Sequence, residues 1–469
     1  MAKKQLEINI EKFNEKGVGI AFNGNGTKIV ISRAIIGDKI LAELNKKRKG
    51  YIKARILKVI EPSKNRINPK CKSFEICGGC SWQNLEYSEQ LKQKEKLVIK
   101  NFEDYIKKTN LKLYPIFPAK EIFEYRNKME FSFSQNQKKT MYLGLIMLGG
   151  RFVVDIERCF LANEWFSNVL KEVKTWWERC DFSAYNFFNG EGFLRTLTLK
   201  EGKNTKDKMV VLTTSTSTTL DEEQKRDFIS SIIKAIGSDN NLSIYLNEQR
   251  AKKGEKTTFE LTKLFGKDFI KEDLYIKVDK SKIKLSFQIG PHSFFQPNTI
   301  QAQNLYSLAI NYLNLEEIKD KVIFDLYSGT GTIGMILAKF VKKVIAIEIN
   351  QDSCNQAKDN LKLNNINNFE MINGDVSLIL DEILKDKNFE KPHLIVIDPP
   401  RGGLSLEAIE NILKILPKNI LYISCNPKTQ ARDIKILTEN GYQLKILHPI
   451  DQFAQTFHIE NIAVLENTL

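Results

Sequence analysis

The sequence lacks the features of membrane and secreted proteins. Its 469 residues contain no run of about 18 apolar residues, the length with which a helix crosses a bilayer. The first residues, Met1 to Gln5, have no apolar core like that of a signal peptide. We therefore expect a cytoplasmic protein without a membrane partner.

Cysteine is also sparse, since the chain has only seven. Without a secretion signal these thiols are expected to stay reduced, which argues against a disulfide framework. Strongly biased segments are missing as well, and 42% hydrophobic with 27% charged residues is typical of a folded globular protein. At about 100–200 residues per domain the length favours two or three domains, and we expect three.

Positive charge is concentrated at the front of the chain. Residues 1–70 hold 17 Lys or Arg and 6 Asp or Glu, so this segment carries +11 of the net charge of +14. A concentrated basic module is typical of a protein that binds a polyanion, and nucleic acid is the commonest such partner. The alternative is a solvated basic surface without a partner.

Short β-type runs separated by Gly and Asn occupy the same segment. They lie at residues 6–10, 17–21, 28–32, 38–43 and 51–60. Five short strands with turn signals predict a small β-barrel. The basic run from Lys46 to Lys49 is predicted on one of its loops, where it would suit contacts with RNA phosphates.

A glycine-rich turn follows an apolar strand in the C-terminal third. Gly329, Gly331 and Gly334 satisfy the pattern G-x-G-x-x-G, which lets the backbone approach a nucleotide-type cofactor closely. The turn alone does not separate S-adenosylmethionine from a dinucleotide. Glu348, about twenty residues on, is placed to bind the ribose of either cofactor. Asp375, after a third strand, is placed to meet the adenine amine, and the alternative is a packing loop with solvated acids.

Two further strands end in side chains that can do chemistry. One apolar strand stops at Asp398 before two prolines, and another stops at Ser424 and Cys425 before Pro427. In open α/β sheets ligands bind outside the carboxyl ends of the strands, so Asp398 and Cys425 are expected at one site. The carboxylate of Asp398 can accept a hydrogen bond from the imide NH of uracil, and the alternative is an Asp that caps its loop.

Cys425 is the predicted nucleophile. Uracil C5 reacts poorly with a sulfonium methyl group, whereas a thiolate that adds to C6 makes C5 enolate-like. This chemistry favours S-adenosylmethionine over a dinucleotide. The alternative is an inert core thiol, which is the commoner role of a cysteine after an apolar strand.

The same mechanism needs a base, because the C5 proton must leave before the thiolate is expelled. Glu460 precedes a C-terminal apolar strand, and a desolvated carboxylate with a raised pKa can take that proton. His458 is the competing base. The alternative for Glu460 is a solvated side chain.

Four cysteines form a candidate metal site. Cys71, Cys77 and Cys80 are close in the chain, with two glycines between the last two, and Cys159 is the expected fourth member. A cubane iron–sulfur cluster takes four Cys ligands, and structural zinc sites use similar spacings. The remaining alternative is four unrelated core thiols.

Taken together, these motifs closely resemble those of the bacterial RNA uridine-5-methyltransferases, which act on large-subunit ribosomal RNA or on the T-loop of tRNA. The resemblance runs from end to end of the chain. Besides the four cysteines, it is carried by Tyr125 to Glu130, Phe294 to Asn298, Asp325 to Gly331, Asp398 to Arg401, Ser424 to Pro427 and His458 to Glu460.

The resemblance implies a multidomain α/β fold. Residues 1–62 would form an OB-like β-barrel similar to a TRAM domain. Residues 63–285 would form a central α/β domain with the iron–sulfur site, and residues 286–469 a doubly wound, Rossmann-like methyltransferase domain.

It also implies the roles of the site residues. Cys425 is the nucleophile and Glu460 the base. The residues expected to bind S-adenosylmethionine are Gln296, Tyr327, Thr332, Glu348, Asp375 and Asp398, of which Gln296 and Asp398 also face the target base. Cys71, Cys77, Cys80 and Cys159 match the ligands of a [4Fe-4S] cluster, for which we expect a structural role.

The resemblance points to RNA as the partner and does not suggest DNA. Members specific for tRNA generally lack the barrel and the cluster, so we expect 23S rRNA as the substrate, with the T-loop of tRNA as the alternative. The target uridine must lie in a loop or be flipped out of its helix. We expect a monomer.

Two rival interpretations remain. A radical S-adenosylmethionine enzyme would carry a C-x3-C-x2-C run, which the sequence lacks, and would leave Cys425 unused. A non-catalytic RNA-binding or assembly factor would have no need of Cys425, Asp398 and Glu460 together.

Overall fold

The structure is a computed structural model, which describes residues 4–469 apart from 49, 109, 239, 252 and 253. Elements are numbered in chain order. The first six are β1 (Gln5–Asn9), β2 (Lys12–Phe13), β3 (Gly19–Phe22), β4 (Lys28–Ile31), β5 (Lys39–Arg48) and β6 (Tyr51–Glu61).

These six strands form one sheet in the order β1-β5-β6-β4-β3-β2. Alternating apolar residues of its strands, among them Ile8, Ile29 and Ile40, bury a small core of their own. All five predicted strands are present, and Lys12–Phe13 adds a sixth. Closure into an OB-like barrel stays a prediction.

The predicted loop at Lys46 to Lys49 is wrong for its first three residues. Lys46 to Arg48 belong to β5, because the hairpin with β6 continues to the pairs Lys47 with Ile52 and Arg48 with Tyr51. Lys49 lies outside the described residues. The first three residues of the basic run are therefore the last three residues of strand β5.

A helical segment joins this sheet to the rest of the chain. It comprises α1 (Tyr87–Asn101), α2 (Glu103–Lys108) and β7 (Lys112–Leu113). Val98 and Phe102 pack into the core of the C-terminal sheet, and β7 pairs with that sheet's outer strand. This segment lies inside the predicted central region 63–285 but packs against the C-terminal part.

The central sheet has seven strands in the order β10-β9-β8-β11-β12-β13-β14. Its elements are β8 (Lys128–Gln135), β9 (Met141–Ile146), β10 (Val153–Asp155), α3 (Glu164–Arg179), β11 (Leu194–Glu201), β12 (Lys208–Ser215), α4 (Glu222–Ile236), β13 (Leu242–Arg250) and β14 (Thr258–Gly266). Helices α3 and α4 bury their apolar stripes against one face, where Trp176 and Trp177 are fully buried.

The C-terminal part begins with the hairpin β15 (Ile270–Val278) and β16 (Ser281–Ile289), whose apolar residues share the core of the following sheet. The remaining elements are α5 (Thr299–Asn311), α6 (Leu315–Ile318), β17 (Val322–Leu326), α7 (Thr332–Leu337), β18 (Lys343–Glu348), α8 (Gln351–Leu363), β19 (Phe369–Asn373), α9 (Val376–Lys385), β20 (Leu394–Ile397), α10 (Leu406–Ile415), β21 (Asn419–Ser424), α11 (Pro427–Glu439), β22 (Tyr442–Ile450) and β23 (Glu460–Asn467). The predicted boundary at 285/286 falls within β16.

The eight-stranded sheet has the order β19-β18-β17-β20-β21-β23-β22-β7. Strands β17 to β21 are parallel, so their carboxyl ends meet at one edge. Because β23 runs antiparallel to β21, its first residue lies at that same edge. The mixed α/β fold predicted for this part is confirmed, and its topology gathers the site.

Candidate active site

The glycine-rich turn after β17 is shaped to receive a ligand. Gly329 adopts a φ of +55°, and a Cβ added there would meet nothing within 4 Å, so the turn faces open space. Its N–H donates to Glu348 Oε2 at 2.9 Å, and Asn350 N donates to Glu348 Oε1 at 2.7 Å. The predicted ribose ligand Glu348 is thereby fixed beside the turn.

Asp325 is a site residue that the sequence interpretation missed. Its Oδ2 accepts from Gly334 N at 2.9 Å, whereas its Oδ1 is buried without a hydrogen-bond partner among the described residues. Burial, with Asp398 and Glu348 nearby, raises the pKa of Asp325 to about 7. A buried, unpartnered carboxylate oxygen is suited to an ammonium or sulfonium group. The available signal was an acid inside an otherwise apolar strand.

Three predicted cofactor residues surround the same turn. Tyr327 has a φ of +58°, and burial together with Asp375 raises its pKa to about 12. Asp375 caps α9, because its Oδ1 accepts from Ser377 N at 2.9 Å. Thr332 begins α7, with its Oγ1 3.4 Å from that of Thr330.

Gln296 reaches the site from a separate segment before α5. Its carbonyl accepts from Asn127 Nδ2 at 2.8 Å, so the central sheet holds this segment in place. Its side chain is hydrogen-bonded to Tyr306 on α5. Burial, Asp398 and Glu460 raise the pKa of Tyr306, which the sequence interpretation also missed.

Cys425 and Glu460 lie close together at the sheet edge, because Glu460 is among the charges that perturb the pKa of Cys425. The β21–β23 ladder ends at the pair Ser424 and Asn461, which are the chain neighbours of Cys425 and Glu460. The loop that carries Cys425 is tied to the loop after Asp398 because Asn426 Nδ2 donates to the carbonyl of Arg401 at 2.9 Å. The structure thus brings the three predicted catalytic and substrate-binding residues together.

The site is rich in acidic groups whose pKa values are raised. Burial raises the pKa of Cys425 to about 11, with Glu460 adding to the rise and Arg401 opposing it. Burial, and then Asp398, raises the pKa of Glu460 well above its usual range, and burial raises that of Asp398 to about 7. The free site therefore holds a thiol and carboxyl groups that bind protons easily.

His458, the competing base, has a different environment. Burial lowers its pKa to about 4, so the imidazole is neutral near pH 7. Its ring lies 4.2 Å from that of Phe457, centroid to centroid. Glu460, rather than His458, is among the groups that perturb Cys425. The Glu460 carboxylate therefore interacts with Cys425 more strongly than the His458 imidazole does.

A buried network anchors the loop that leads to Glu460. Lys94 of α1 and Asp451 form a 2.5 Å ion pair with both side chains fully buried. Tyr87 Oη also donates to Asp451 Oδ2 at 2.7 Å, and Asn298 Nδ2 donates to the carbonyl of Gln452 at 3.1 Å. This loop therefore connects α1, the Gln296 segment and the base.

The four predicted metal ligands, Cys71, Cys77, Cys80 and Cys159, line one cavity of about 660 Å³. Cys80 Sγ accepts from Gln83 Nε2 at 3.1 Å, and Cys77 Sγ accepts from Gly79 N at 3.4 Å. Burial raises the pKa of Cys80 to about 12 and also raises those of Cys77 and Cys159.

The fit of a metal to these thiols is partial. In the part of the chain that the structure describes, no three Cys, His, Asp or Glu side chains converge as a metal-ion site. A tetrahedral zinc ion needs such convergence, with Zn–S distances of about 2.3 Å. A cubane cluster is larger than one ion and takes four thiolate ligands, and four cysteines line this cavity.

Comparison with known proteins agrees with this site. A model of the tRNA (Uracil-5-)-methyltransferase family matches residues 86–468. The chain belongs to this family. Its members are enzymes that methylate uracil C5 in RNA with S-adenosylmethionine, so the predictions of enzyme class, of S-adenosylmethionine as a cofactor and of an RNA substrate are confirmed. The iron–sulfur cluster and the choice of ribosomal RNA stay predictions.

Relatives of the enzyme cover nearly its whole length. An uncharacterized RNA methyltransferase of Protochlamydia amoebophila is 43% identical over 438 residues, covering 92% of this chain and 98% of that protein. One from Clostridium tetani is 35% identical and covers 98% and 97%. The crystal structure of Pyrococcus abyssi tRNA (uracil-54, C5)-methyltransferase with S-adenosyl-L-homocysteine has a TM-score of 0.74 at 25% identity, covering 98% of this chain and 100% of that one.

Every helix in the described part of the methyltransferase is too short or too polar to traverse a lipid bilayer.

Proposed function

We propose that this enzyme methylates C5 of a uridine in 23S rRNA through a covalent adduct with Cys425. The observation that carries the proposal is the proximity of Cys425 and Glu460 at the end of the β21–β23 ladder, with Asp398 near both at the carboxyl edge of the sheet. Nucleophile, base and uracil-binding carboxylate are then within reach of one ring.

The residues proposed to hold S-adenosylmethionine are Gln296, Tyr327, Thr332, Glu348, Asp375 and Asp398. We add Asp325, because its unpartnered Oδ1 suits a cationic group. When bound, the cofactor supplies an electrophilic methyl group on a positively charged sulfur. The carboxylates around the turn after β17 favour that charge.

Cys425 begins the reaction as a protonated thiol, because burial and Glu460 raise its pKa. A cation bound beside Asp398 offsets the carboxylates and lowers that pKa again. Once the thiol proton has passed to solvent water, Sγ forms a bond to C6 of uracil, and the electron pair of the C5–C6 double bond becomes available at C5. Asp398 and Gln296 orient the ring through its polar edge.

Glu460 completes the turnover. The electron pair at C5 would bond to the methyl carbon of the cofactor while the methyl–sulfur bond breaks, which would leave neutral S-adenosylhomocysteine. The Glu460 carboxylate then removes the C5 proton, the C5–C6 double bond re-forms and the Sγ–C6 bond breaks, which returns the Cys425 thiolate. A buried carboxylate with a raised pKa is a stronger base than a solvated one. The methylated uridine is then free to leave.

Two observations bear on the RNA substrate. The basic N-terminal sheet and the four-cysteine site support ribosomal RNA through the resemblance described above. The overall similarity to an enzyme named as a tRNA methyltransferase favours the T-loop of tRNA as the second candidate. We place 23S rRNA first.

We further propose that Cys71, Cys77, Cys80 and Cys159 hold a [4Fe-4S] cluster, with zinc as the alternative. Their shared cavity and the N–H donors to Cys77 and Cys80 support this assignment. The cluster would link the chain around residues 71–80 to the central sheet. We also propose the domain division 1–62, 63–285 and 286–469, with a TRAM-like barrel first.

The deciding experiment incubates the purified enzyme and methyl-labelled S-adenosylmethionine with 23S rRNA and tRNA transcripts, and maps the labelled base. Label at C5 of one uridine in 23S rRNA is expected. Label in the tRNA T-loop alone would replace the substrate, and label in neither RNA would contradict the proposed function.

A further inference from the structure

A buried lysine of the central sheet holds the backbone segment that leads to Gln296. Lys200 lies on β11 and exposes only 2% of its surface. Its Nζ donates to the carbonyls of Gly290, Pro291 and Ser293 at 2.8, 2.7 and 3.0 Å. An ammonium group has three N–H donors, so each of them has one carbonyl partner here.

The three carbonyls depend on this cation for their arrangement. They converge on one point, where their negative ends would repel one another without a positive charge between them. No carboxylate of the described residues forms an ion pair with Lys200, so the carbonyls compensate the burial of its charge. Burial, and then the charge of Lys128, lower the pKa of Lys200 to about 7, so the ammonium is the main form below that pH.

Helix α8 fixes the same segment from another side. Ser293 Oγ donates to Gln356 Oε1 on α8 and accepts from Gly290 N at 2.9 Å. Helix α8 begins three residues after Glu348, the predicted ribose ligand. The segment is therefore held between the central sheet and the helix that follows Glu348.

The lysine-bound carbonyls are close in the chain to Gln296. Only Phe294 and Phe295 separate Ser293 from it, and the ring of Phe295 packs on that of Phe287 with centroids 5.6 Å apart. A change in the backbone path at Ser293 is therefore passed on to Gln296. The Gln296 side chain would then lose the position in which it reaches the site.

We propose that Lys200 is a positioning residue, whose ammonium holds segment 290–296 in the shape that presents Gln296 to S-adenosylmethionine. The inference rests on the proposed function, because it takes Gln296 as a cofactor contact. It makes the central sheet, and not only the C-terminal sheet, a determinant of cofactor affinity. A lysine that served only the stability of the fold would not act through Gln296.

The test is a double-mutant cycle on cofactor binding. S-adenosylmethionine is titrated by calorimetry, without RNA and below pH 7, into the full-length parent enzyme, Lys200→Met, Gln296→Ala and the double variant. Lys200→Met removes all three N–H donors, and we expect binding to weaken about tenfold, the order of one lost hydrogen bond. In the Gln296→Ala background the same change should have almost no effect, because the contact through which Lys200 acts is already gone.

Further variants separate the hydrogen bonds from the charge. Lys128 of β8 pairs directly with Lys200, so Lys128→Met removes a charge from the same face of the sheet and should leave the affinity unchanged. Lys200→Arg keeps a cation with N–H donors and should bind S-adenosylmethionine more tightly than Lys200→Met does. If Lys200→Met does not fold, Lys200→Gln takes its place in the cycle.

Unchanged affinity of Lys200→Met would overturn the inference, and so would an equal loss with and without the Gln296 side chain. An equal loss for Lys128→Met, or no recovery with Lys200→Arg, would assign the effect to charge or packing and overturn it as well. Because the titrations contain no RNA, failure of the proposed function would appear separately, as missing label in the RNA treated with the parent enzyme.

Discussion

At the scale of single residues, the proposed catalysis depends on one register of the C-terminal sheet. Because Ser424 pairs with Asn461, the proposed nucleophile Cys425 and the proposed base Glu460 are brought to the same end of adjacent strands. A shift by one residue would turn Glu460 to the other face of the sheet. Proton removal from C5 is therefore tied to the pairing of β21 with β23.

Replacing Glu460 with Gln removes the base and keeps the shape of the site. We expect Glu460→Gln to form the covalent adduct but to release it at least about a hundredfold more slowly, the lower end of what a positioned base contributes. The adduct should be visible as a protein–RNA species on denaturing gels. Cys425→Ala should show neither adduct nor product.

His458→Asn is the matched control for the choice of base. Since the imidazole is already neutral and does not perturb Cys425, this variant should release product without accumulating adduct. If His458→Asn accumulates adduct and Glu460→Gln turns over normally, the roles of the two residues are reversed.

Cofactor affinity should depend on pH. Burial raises the pKa values of Asp325 and Asp398 to about 7, so both lose protons as the pH rises through neutrality. Binding of cationic S-adenosylmethionine should therefore tighten several-fold between about pH 6 and pH 8, with proton release below pH 7. Calorimetry in buffers of different ionisation enthalpy measures both quantities.

S-adenosylhomocysteine, which lacks the sulfonium charge, provides the control and should show a weaker dependence on pH. The free energy of unfolding of the ligand-free enzyme should fall over the same rise in pH. The reason is that the folded carboxyls retain protons that the unfolded chain has already lost. Equal pH profiles for the two ligands would contradict the role given to the carboxylates.

Residues at strand ends could be predicted because the sequence shows both the apolar strand and the prolines that end it. Asp398 follows four apolar residues and precedes two prolines, so its place at the sheet edge was visible. Tyr306 and Lys94 were not visible, because each lies on an ordinary amphipathic helix. Asp451, the partner of Lys94, is distant in the chain, and Gln296, the partner of Tyr306, reaches it from the irregular segment before α5, so both contacts are set by tertiary packing.

At the scale of elements, helix α1 anchors the loop that leads to the proposed base, Glu460. The fully buried pair of Lys94 and Asp451 satisfies two charges that would otherwise be stranded in the core. Lys94→Met leaves Asp451 without its cation, and we expect a loss of about 3–5 kcal/mol in the free energy of unfolding. Denaturant titration measures it.

Lys96→Met, two residues along the same helix but solvent-exposed, is the matched control and should change stability little. An equal effect of the two variants would mean that the buried pair is not what anchors the loop. A smaller loss for Lys94→Met in the presence of S-adenosylmethionine would show that the ligand also stabilises the loop.

Element types were easier to predict than the partners of each element. The alternation of apolar strands and amphipathic helices after Ile289 correctly indicated the mixed α/β sheet. The hairpin β15–β16 alternates apolar and polar residues, a pattern that would suit a strand in either neighbouring sheet. Its apolar side chains pack with the C-terminal core. Segment 87–113 also packs against the C-terminal sheet, because Val98 and Phe102 are buried in its core.

At the scale of the whole molecule, part of the N-terminal positive charge lines a groove between the first sheet and α1. Lys12, Lys16 and Lys28 from the first sheet and Lys96 and Lys100 from α1 line one groove of about 590 Å³. Phe457, three residues before Glu460, lies at the same groove. Glu15 also lines it, and Lys428 pairs with that carboxylate at 3.1 Å, which ties the N-terminal segment to the first turn of α11.

Phosphates of the bound RNA should therefore lie along these lysines on the way to the active site. Replacing Lys12 and Lys16 with Gln removes two phosphate contacts, so the slope of log affinity against log salt should become shallower by about 0.7 per contact for single-stranded RNA. Affinity at low salt should fall, whereas kcat at saturating RNA should not. Lys319→Gln with Lys321→Gln, two exposed lysines after α6, provides the charge-matched control. If both pairs alter the slope equally, the net charge of the enzyme rather than the groove governs binding, whereas a selective effect of Lys12 and Lys16 assigns the RNA path to the junction of the first sheet with α1.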